Sequence, residues 1–510
     1  MKIRIRIIAT LIFITSCWQT SGAAGFRLAN IFNDHAVLQC DAAVPVWGWA
    51  DGGTKVTVEF AGQTKTATAD ADGKWQVTLD PMPASAVPAV LTVQNQVSGL
   101  RLQVSDILVG EVWLGSGQSN MAMLVDMADN PEKEKALANL PMVRMYKESS
   151  LAAKTAQPDS TGSWVVCTPD TVGAFSATLY FFGREIHRTL GVPVGLINAS
   201  VSGSPIEAWI PSETQYASKE LAPFFASVEH PEPAGLSEEE KEKHNLALAR
   251  WQTAAKKAKE EGKPAPPRPR DPAVALARKS GVGGFFNGKI SPIIPYAIRG
   301  AVWYQGEGNA KSTHAPFYQY QLPMLVQDWR KHWGYEFPFA WVQLPNFREA
   351  DGDWVMIREA QLKTLALPKT GMSVNIDIGE EKGLHPKNKQ EIGRRLSLWA
   401  LGDVYNQKVV ATSGPLPAGH EIRNGEMVLS FRHTNGGLVA KDGELKGFII
   451  AGDDRQWKPA QARIEGDKVI VASPDVKQPS AVRYAWENFP VCNLFNGAGL
   501  PASPFRQENP

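Results

Sequence analysis

The fold is decided by residues 107–121, Ile107-Leu-Val-Gly-Glu-Val-Trp-Leu114 running into Gly115-Ser-Gly-Gln-Ser-Asn-Met121. The first eight are nearly all apolar, the pattern of a strand buried on both faces of a parallel sheet. Gly115 and Gly117 in the turn let the backbone bend sharply where strand gives way to helix. Such a turn points side chains out of the carboxyl edge of the sheet, where α/β folds hold ligands. Ser119 is then expected at the start of the next helix, with free backbone N–H groups nearby to hold an oxyanion. It is a candidate nucleophile, with a simple helix N-cap as the alternative role. The spacing is not G-x-S-x-G, because Met121 stands at the final glycine position, which disfavours an ordinary α/β-hydrolase elbow.

Working outward, runs of the same texture recur at Val194–Asn198, Ile298–Tyr304, Phe339–Leu344 and Met372–Ile376, with helical stretches such as Ala174–Leu190 and Tyr318–His332 between them. Strands alternating with helices predict an α/β core with a mostly parallel sheet over residues 106–403. Residues 212–280 interrupt that rhythm. Ser237 followed by Glu240 is a capping-box pattern that opens a charged helix to about Glu261, and a proline-rich extended stretch follows to Pro272. This segment reads as an insertion near the site entrance, its charges forming a solvated helix face. Upstream, short alternating strands in residues 25–105, among them Val44–Trp49 and Trp75–Leu79, predict a small β-sandwich acting as a packing scaffold. Downstream, Met427–Phe431, Phe448–Ala451 and Lys468–Ala472 predict a β-rich region over 404–510.

A chain of 510 residues suggests about three domains at roughly 150 residues each. Lys plus Arg number 53 against 52 Asp plus Glu, so there is no basic excess to neutralise phosphates, and no nucleic-acid partner is expected. The sixteen Trp are read as mainly core residues. Residues 1–24 form a targeting segment: Lys2, Arg4 and Arg6, an apolar stretch Ile7–Thr15 too short to span a membrane, then small residues Ser21-Gly-Ala-Ala24. Cys17 after Ile14-Thr-Ser16 offers a lipoprotein alternative. The expected protein is exported, periplasmic or extracellular, and either free or lipid-tethered at Cys17. Cys40, Cys167 and Cys492 contain no CxxC pair, which removes zinc-ribbon and thioredoxin readings but leaves one disulfide open. No cluster has metal-ligand spacing, so neither metal nor organic cofactor is expected.

A serine nucleophile needs a base. His35 lies in the N-terminal β-region, His420 and His433 beyond the core, and His230 and His244 in or beside the insertion. His187 and His332 fall near predicted helix ends next to Arg or Lys, which suggests surface positions; His314, in a loop, stays open. His385 is placed differently. It follows a buried strand and the polar loop Asp377–Gly383, and precedes Pro386, a good first helical residue, before the helix face Ile392, Leu396, Trp399. That puts it on a loop at the same sheet edge as Ser119, the geometry a catalytic pair requires.

Three blocks carry a family resemblance. Gly110-Glu-Val-Trp-Leu-Gly-Ser-Gly-Gln-Ser-Asn-Met121 resembles the nucleophile block of the sialate O-acetylesterase family, a branch of the SGNH hydrolases. Val302-Trp-Tyr-Gln-Gly-Glu-Gly-Asn309 is similar to its tyrosine-glutamine-glycine-glutamate segment, and His385-Pro-Lys-Asn-Lys-Gln-Glu-Ile-Gly-Arg-Arg395 to its histidine block. Shorter matches at Ser204–Trp209, Val342–Asn346 and Leu500–Arg506 extend the likeness in order along nearly the whole chain after the leader. The resemblance implies an SGNH-hydrolase-like three-layer core and deacetylation of acetylated sugars, whether sialic acid or a plant cell-wall glycan such as xylan. By position it implies Ser119 as nucleophile, His385 as general base, Gly203 as oxyanion-hole glycine, and Gln305 as third donor, with Asn309 a substitute. Many relatives carry Asp two residues before the histidine, to orient the imidazole and stabilise its cation. Here that residue is Gly383. Either one of the loop acids Asp377, Glu380 and Glu381 replaces it, a backbone carbonyl does, or activity is reduced; Glu307 could also reach the site. Two rival functions are a non-catalytic glycan-binding protein on the same fold and a glycosidase pairing Glu307 with Glu207.

Overall fold

Residues Arg101–Gly117 form one 17-residue strand, β1, and the molecule is organised around it. In this computed structural model residues 25–227, 237–263, 280–350 and 352–508 are described, together with Pro266 and Pro269. The leader and Cys17 lie outside the described residues. The two halves of β1 face different surroundings. Its first half alternates in exposure and pairs antiparallel with Ser85–Asn95, matching Leu91 to Val104 and Gln94 to Arg101. From Ile107 onward every residue is buried, as the apolar run requires.

That second half is the middle of a parallel sheet. The other strands are β2 (Leu140–Lys147), β3 (Trp164–Cys167), β4 (Val194–Ser200), β5 (Gly300–Tyr304), β6 (Phe339–Val342) and β7 (Thr370–Ser373). Their order is β3-β2-β4-β1-β5-β6-β7, and only the β3–β2 pair is antiparallel. β1 lies between β4 and β5, with Gly117 opposite both Ser200 and Tyr304, so the carboxyl ends of these three strands meet at one rim. Six helices complete the frame needed for the site: α1 (Ser119–Ala122), α2 (Ala177–Leu190), α3 (Glu238–Glu260), α4 (Tyr318–Trp333), α5 (Trp354–Thr364) and α6 (Lys389–Trp399).

The architecture is therefore mixed α/β, with one large mixed sheet and further β-rich regions. The N-terminal strands share one continuous apolar core with the α/β region, because β1 runs unbroken past residue 105. The strands after residue 415 enclose a separate apolar cluster that includes Met427, Phe448, Val469 and Phe505. Twelve of the sixteen Trp are buried, Trp113, Trp303 and Trp341 completely, so tryptophan is structural in this protein and supplies no sugar platform at those positions. In the insertion, α3 opens as expected: the Ser237 N–H donates to Glu240 Oε2 (2.9 Å) and the Glu240 N–H to Ser237 Oγ (3.2 Å). Cys40, Cys167 and Cys492 are all free thiols. His187 is buried, with Nδ1 2.7 Å from the Val192 carbonyl, where a surface position was expected; the end of α2 folds back over it.

Candidate active site

Ser119 sits two residues beyond the end of β1. Gly117 adopts φ +131°, in the region open mainly to glycine, and a Cβ there would lie 2.7 Å from the Tyr304 carbonyl carbon. Only glycine lets β1 and β5 close to this distance and still turn Ser119 outward. Beyond the turn, α1 is a single turn, shorter than the helix the sequence suggested. It is held from below: the Ala122 N–H donates to Gln118 O (2.9 Å), the Met123 N–H to Ser119 O (2.8 Å), Ser176 Oγ to Met121 O (2.6 Å) and Thr178 Oγ1 to Asn120 O (3.1 Å). The nucleophile candidate thus stands on a turn fixed by α2.

His385 comes from the loop between β7 and α6. Asn388 caps that helix, its Oδ1 accepting from the Glu391 N–H (3.1 Å), so the helix starts at Lys389 and Pro386 stays in the loop. The Asp129 N–H donates to Lys387 O (2.9 Å), tying this loop to the segment after α1. The result is direct contact: Ser119 Oγ and His385 Nε2 lie 2.7 Å apart across 266 residues of sequence. Burial, followed by the nearby Lys389 charge, lowers the His385 pKa below its ordinary value, which favours the neutral ring that can accept the serine proton.

The acid side of the site differs from the expectation. Asp377 forms a two-pronged ion pair with Arg395 (2.6 and 2.8 Å), a side chain only 6% exposed. Glu381 pairs with Arg348 at 2.5 Å, and Glu380 Oε1 accepts from the Lys387 N–H at 2.8 Å. None of the three bonds to His385, whose Nδ1 has no hydrogen-bond partner among the described residues. A side chain at Gly383 would begin 2.5 Å from Glu380 Oε2, so the Glu380 carboxylate fills the space where the family's aspartate would start.

Of the donors, Gly203 follows β4 in a left-handed turn at φ +74°, with open space around the position of a Cβ. Neither its N–H nor that of Ser119 has a partner among the described residues. Gln305 is not a free third donor. Its Nε2 donates to Ser204 O (3.2 Å) and Asn309 Oδ1 (2.7 Å), and its Oε1 accepts from Tyr318 (2.9 Å), so this buried amide braces the turn beside Gly203. Asn309 is equally committed, donating to Glu207 Oε2 (2.8 Å) and accepting from the Ile206 N–H (2.8 Å). That also leaves Glu207 a buried hydrogen-bonded carboxyl, its pKa raised by burial, and not half of a glycosidase pair.

Behind the serine lies a buried polar chain that the sequence reading did not assemble. Asn120 Nδ2 donates to Glu307 Oε1 (2.5 Å) and Leu384 O (3.1 Å), while its Oδ1 accepts from Lys389 Nζ (2.5 Å). Burial pushes the Glu307 pKa up and that of the fully buried Lys389 down to about 7. Asn120 therefore links the residue after Ser119, the loop carrying His385 and the two buried charges. The signal in the sequence was Lys389, four positions after His385 in the histidine block. His314, left open above, packs edge-on against Phe224, its ring centroid 5.2 Å away, and does not join the pair.

A serine hydroxyl lies against an imidazole at the carboxyl edge of a parallel sheet, an arrangement that suits acyl transfer, and the relatives of this chain are hydrolases of carboxylic esters. The profile of the family described as "Carbohydrate esterase, sialic acid-specific acetylesterase" matches residues 109–222 and 288–400, which include both Ser119 and His385. The sialate O-acetylesterase of Mus musculus is 28% identical over 95% of this chain and 95% of its own, and that of Rattus norvegicus is 29% identical over 97% and 96%. The crystal structure of a carbohydrate acetylesterase from Xanthomonas citri superposes with a TM-score of 0.79 at 34% identity, covering 94% of this chain and 99% of that one. The chain belongs to this family of carbohydrate esterases, whose activity is O-deacetylation of sugars.

Proposed function

We propose that this protein is an exported serine esterase that removes O-acetyl groups from sugars through an acetyl-enzyme, on an SGNH-type core. The observation that carries the reading is the 2.7 Å separation of Ser119 Oγ and His385 Nε2. In the first half-reaction Ser119 Oγ attacks the acetyl carbonyl carbon while His385 Nε2 takes its proton. The carbonyl oxygen becomes an oxyanion, held by the N–H groups of Ser119 and Gly203, each such donor contributing about 2.7–4 kcal/mol to the transition state. Collapse breaks the ester bond, and His385 returns the proton to the departing sugar oxygen. Water then attacks the acetyl-serine with His385 again as base, releasing acetate and free Ser119.

The pair works as a dyad in this reading. With Asp377 and Glu381 committed to arginines and Glu380 to a backbone N–H, no carboxylate among the described residues bonds to His385 Nδ1. Orientation comes instead from the Lys387–Asp129 tie and from Asn120, which grips Leu384 O next to the histidine. The leader supports export to the periplasm or the exterior, free or tethered at Cys17, and the substrate is an acetylated sialic acid or an acetylated cell-wall glycan such as xylan. The test is acetate release from 4-nitrophenyl acetate by wild type and Ser119→Ala. Loss of at least about 10³-fold in kcat is expected, by comparison with other serine hydrolases; equal rates would refute the assignment.

A further inference from the structure

A cavity of about 470 Å³ is lined by Ala122 at the end of α1, the one-turn helix that Ser119 opens, and by Ser202, the residue before Gly203. It lies along the carboxyl ends of β2 and β4, and His244 of α3 and Pro269 of the insertion form its outer wall. Its size falls in the roughly 300–1,000 Å³ range of small-ligand clefts and far exceeds what an acetyl group alone needs.

The wall chemistry is specific. The buried floor cation is spent internally: Lys289 Nζ donates to Glu148 Oε2 (2.9 Å) and to Glu148 O (3.2 Å), leaving no net charge there. Other polar groups on the wall are unspent. Asn198 is 8% exposed, and its Oδ1 accepts from Ser200 Oγ (2.7 Å), but its Nδ2 has no partner among the described residues. The Ser202 hydroxyl and the His244 imidazole likewise have none among the described residues, although both line the same space. Leu124, Leu151 and Phe285 supply apolar surface between them. A polar group at a cavity wall with its hydrogen bonds unmade is a site for a ligand that can complete them. Amides, hydroxyls and an imidazole interleaved with apolar patches complement a sugar, which presents hydroxyl groups around C–H faces.

We propose that this cavity seats the sugar carrying the acetyl ester, with Asn198, Ser202 and the insertion residue His244 bonding its hydroxyls, so that the insertion sets which glycan is deacetylated. This rests on the serine-esterase reading above. The placement suits it: Ala122 on the cavity wall is one helical turn along α1 from Ser119, and Ser202 on the same wall directly precedes Gly203.

The experiment compares kcat/KM for two esters, 4-nitrophenyl acetate and whichever of an O-acetylated sialoside or an acetylated xylo-oligosaccharide the wild type turns over faster. Asn198→Ala and His244→Ala are each expected to lower the glycan-to-aryl-acetate ratio by about threefold to tenfold, the worth of one hydrogen bond, through KM for the glycan. His244→Gln, which keeps a donor, should restore much of the ratio. Thermal melts matching wild type show that the variants are folded, and the deacetylated oligosaccharide should inhibit aryl-acetate hydrolysis less in His244→Ala than in wild type. Unchanged ratios and unchanged inhibition in both alanine variants, with the wild type hydrolysing both esters, overturn the cavity assignment and leave the catalytic pair standing. If the wild type cleaves neither ester, or Ser119→Ala cleaves both, the esterase reading fails and the cavity assignment falls with it.

Discussion

Replacing Gly117 with alanine tests how far the site depends on the closeness of β1 and β5. The new Cβ would lie 2.7 Å from the Tyr304 carbonyl carbon and 3.0 Å from its nitrogen, and would overlap the carbonyl oxygen. Carbon–carbon contacts relax only at about 3.5–4.0 Å, so the two strand ends must part by about 1 Å. All three nearest atoms are backbone, with no flexible side chain to move aside. The cost is about 1–3 kcal/mol for the left-handed φ of +131° and a further 1–3 kcal/mol for the overpacking, together roughly 2–6 kcal/mol of stability. The parting also breaks the bond from the Gln118 N–H to Tyr304 O (2.9 Å), which sets the turn immediately before Ser119. A displacement of this size at reacting atoms costs on the order of 10²-fold in rate. Urea denaturation and kcat on 4-nitrophenyl acetate read the two effects separately. Gly117→Ala with wild-type kcat and midpoint would refute the claim that this contact positions the serine.

Other outcomes follow from the charges around the pair. Because burial and Lys389 hold the His385 pKa below its ordinary value, kcat/KM of the wild type should rise with a midpoint below about 6.5, as the ring loses its proton. Lys389→Met removes one of those two causes and should move the rising limb to higher pH; an unmoved limb would show that the ammonium does not act on the histidine. Asp377→Asn should cost about 1.5–3 kcal/mol in urea melts, through its ion pair with the nearly buried Arg395, while kcat stays within a few-fold. A drop of 10²-fold or more in kcat at unchanged stability would instead make Asp377 the acid that acts on His385. Glu381→Gln, at a side chain 58% exposed, should change stability by less than about 1 kcal/mol. Gly383→Asp displaces the Glu380 carboxylate and sets an anion beside the imidazole loop, so it should raise the kinetic pKa of His385; no change would mean that the loop turns the new side chain away.

The parts of the fold that read clearly from sequence are those whose apolar pattern meets no competing demand. β4, β5 and the second half of β1 are buried and mainly apolar, and the strands Phe448–Ala451 and Lys468–Ala472 fall at their expected limits. β2 was hidden by Pro141 and by Arg144, a buried charge satisfied by Asp106 (2.9 Å) that breaks the apolar run. α5 was hidden because its inner face is polar: Arg358 is completely buried, its guanidinium bonded to the carbonyls of Leu344, Pro345, Glu487 and Asn488. Neither periodicity nor composition announces a buried arginine whose partners come from distant loops. The same limit governed the site. Ser119 and His385 each stood at a strand–turn–helix junction that a pattern can locate. The fates of Asp377, Gln305 and Asn309 depended on which long-range partner, Arg395, Ser204 or Glu207, reached them first. Asn120 was in the quoted motif throughout, but its value as a bridge appears only when Glu307 and Lys389 are brought to either side of it.

In the proposed reaction Ser119 carries the acetyl group between substrate and water. The direct measurement is mass spectrometry of the protein quenched during turnover of an acetylated substrate, followed by peptide mapping, for wild type and Ser119→Ala. One acetyl should be added to the wild type, located on the peptide containing Ser119, released on further incubation and absent from Ser119→Ala. Acetate release by Ser119→Ala at the wild-type rate, or a transient acetyl found on another residue, would contradict it.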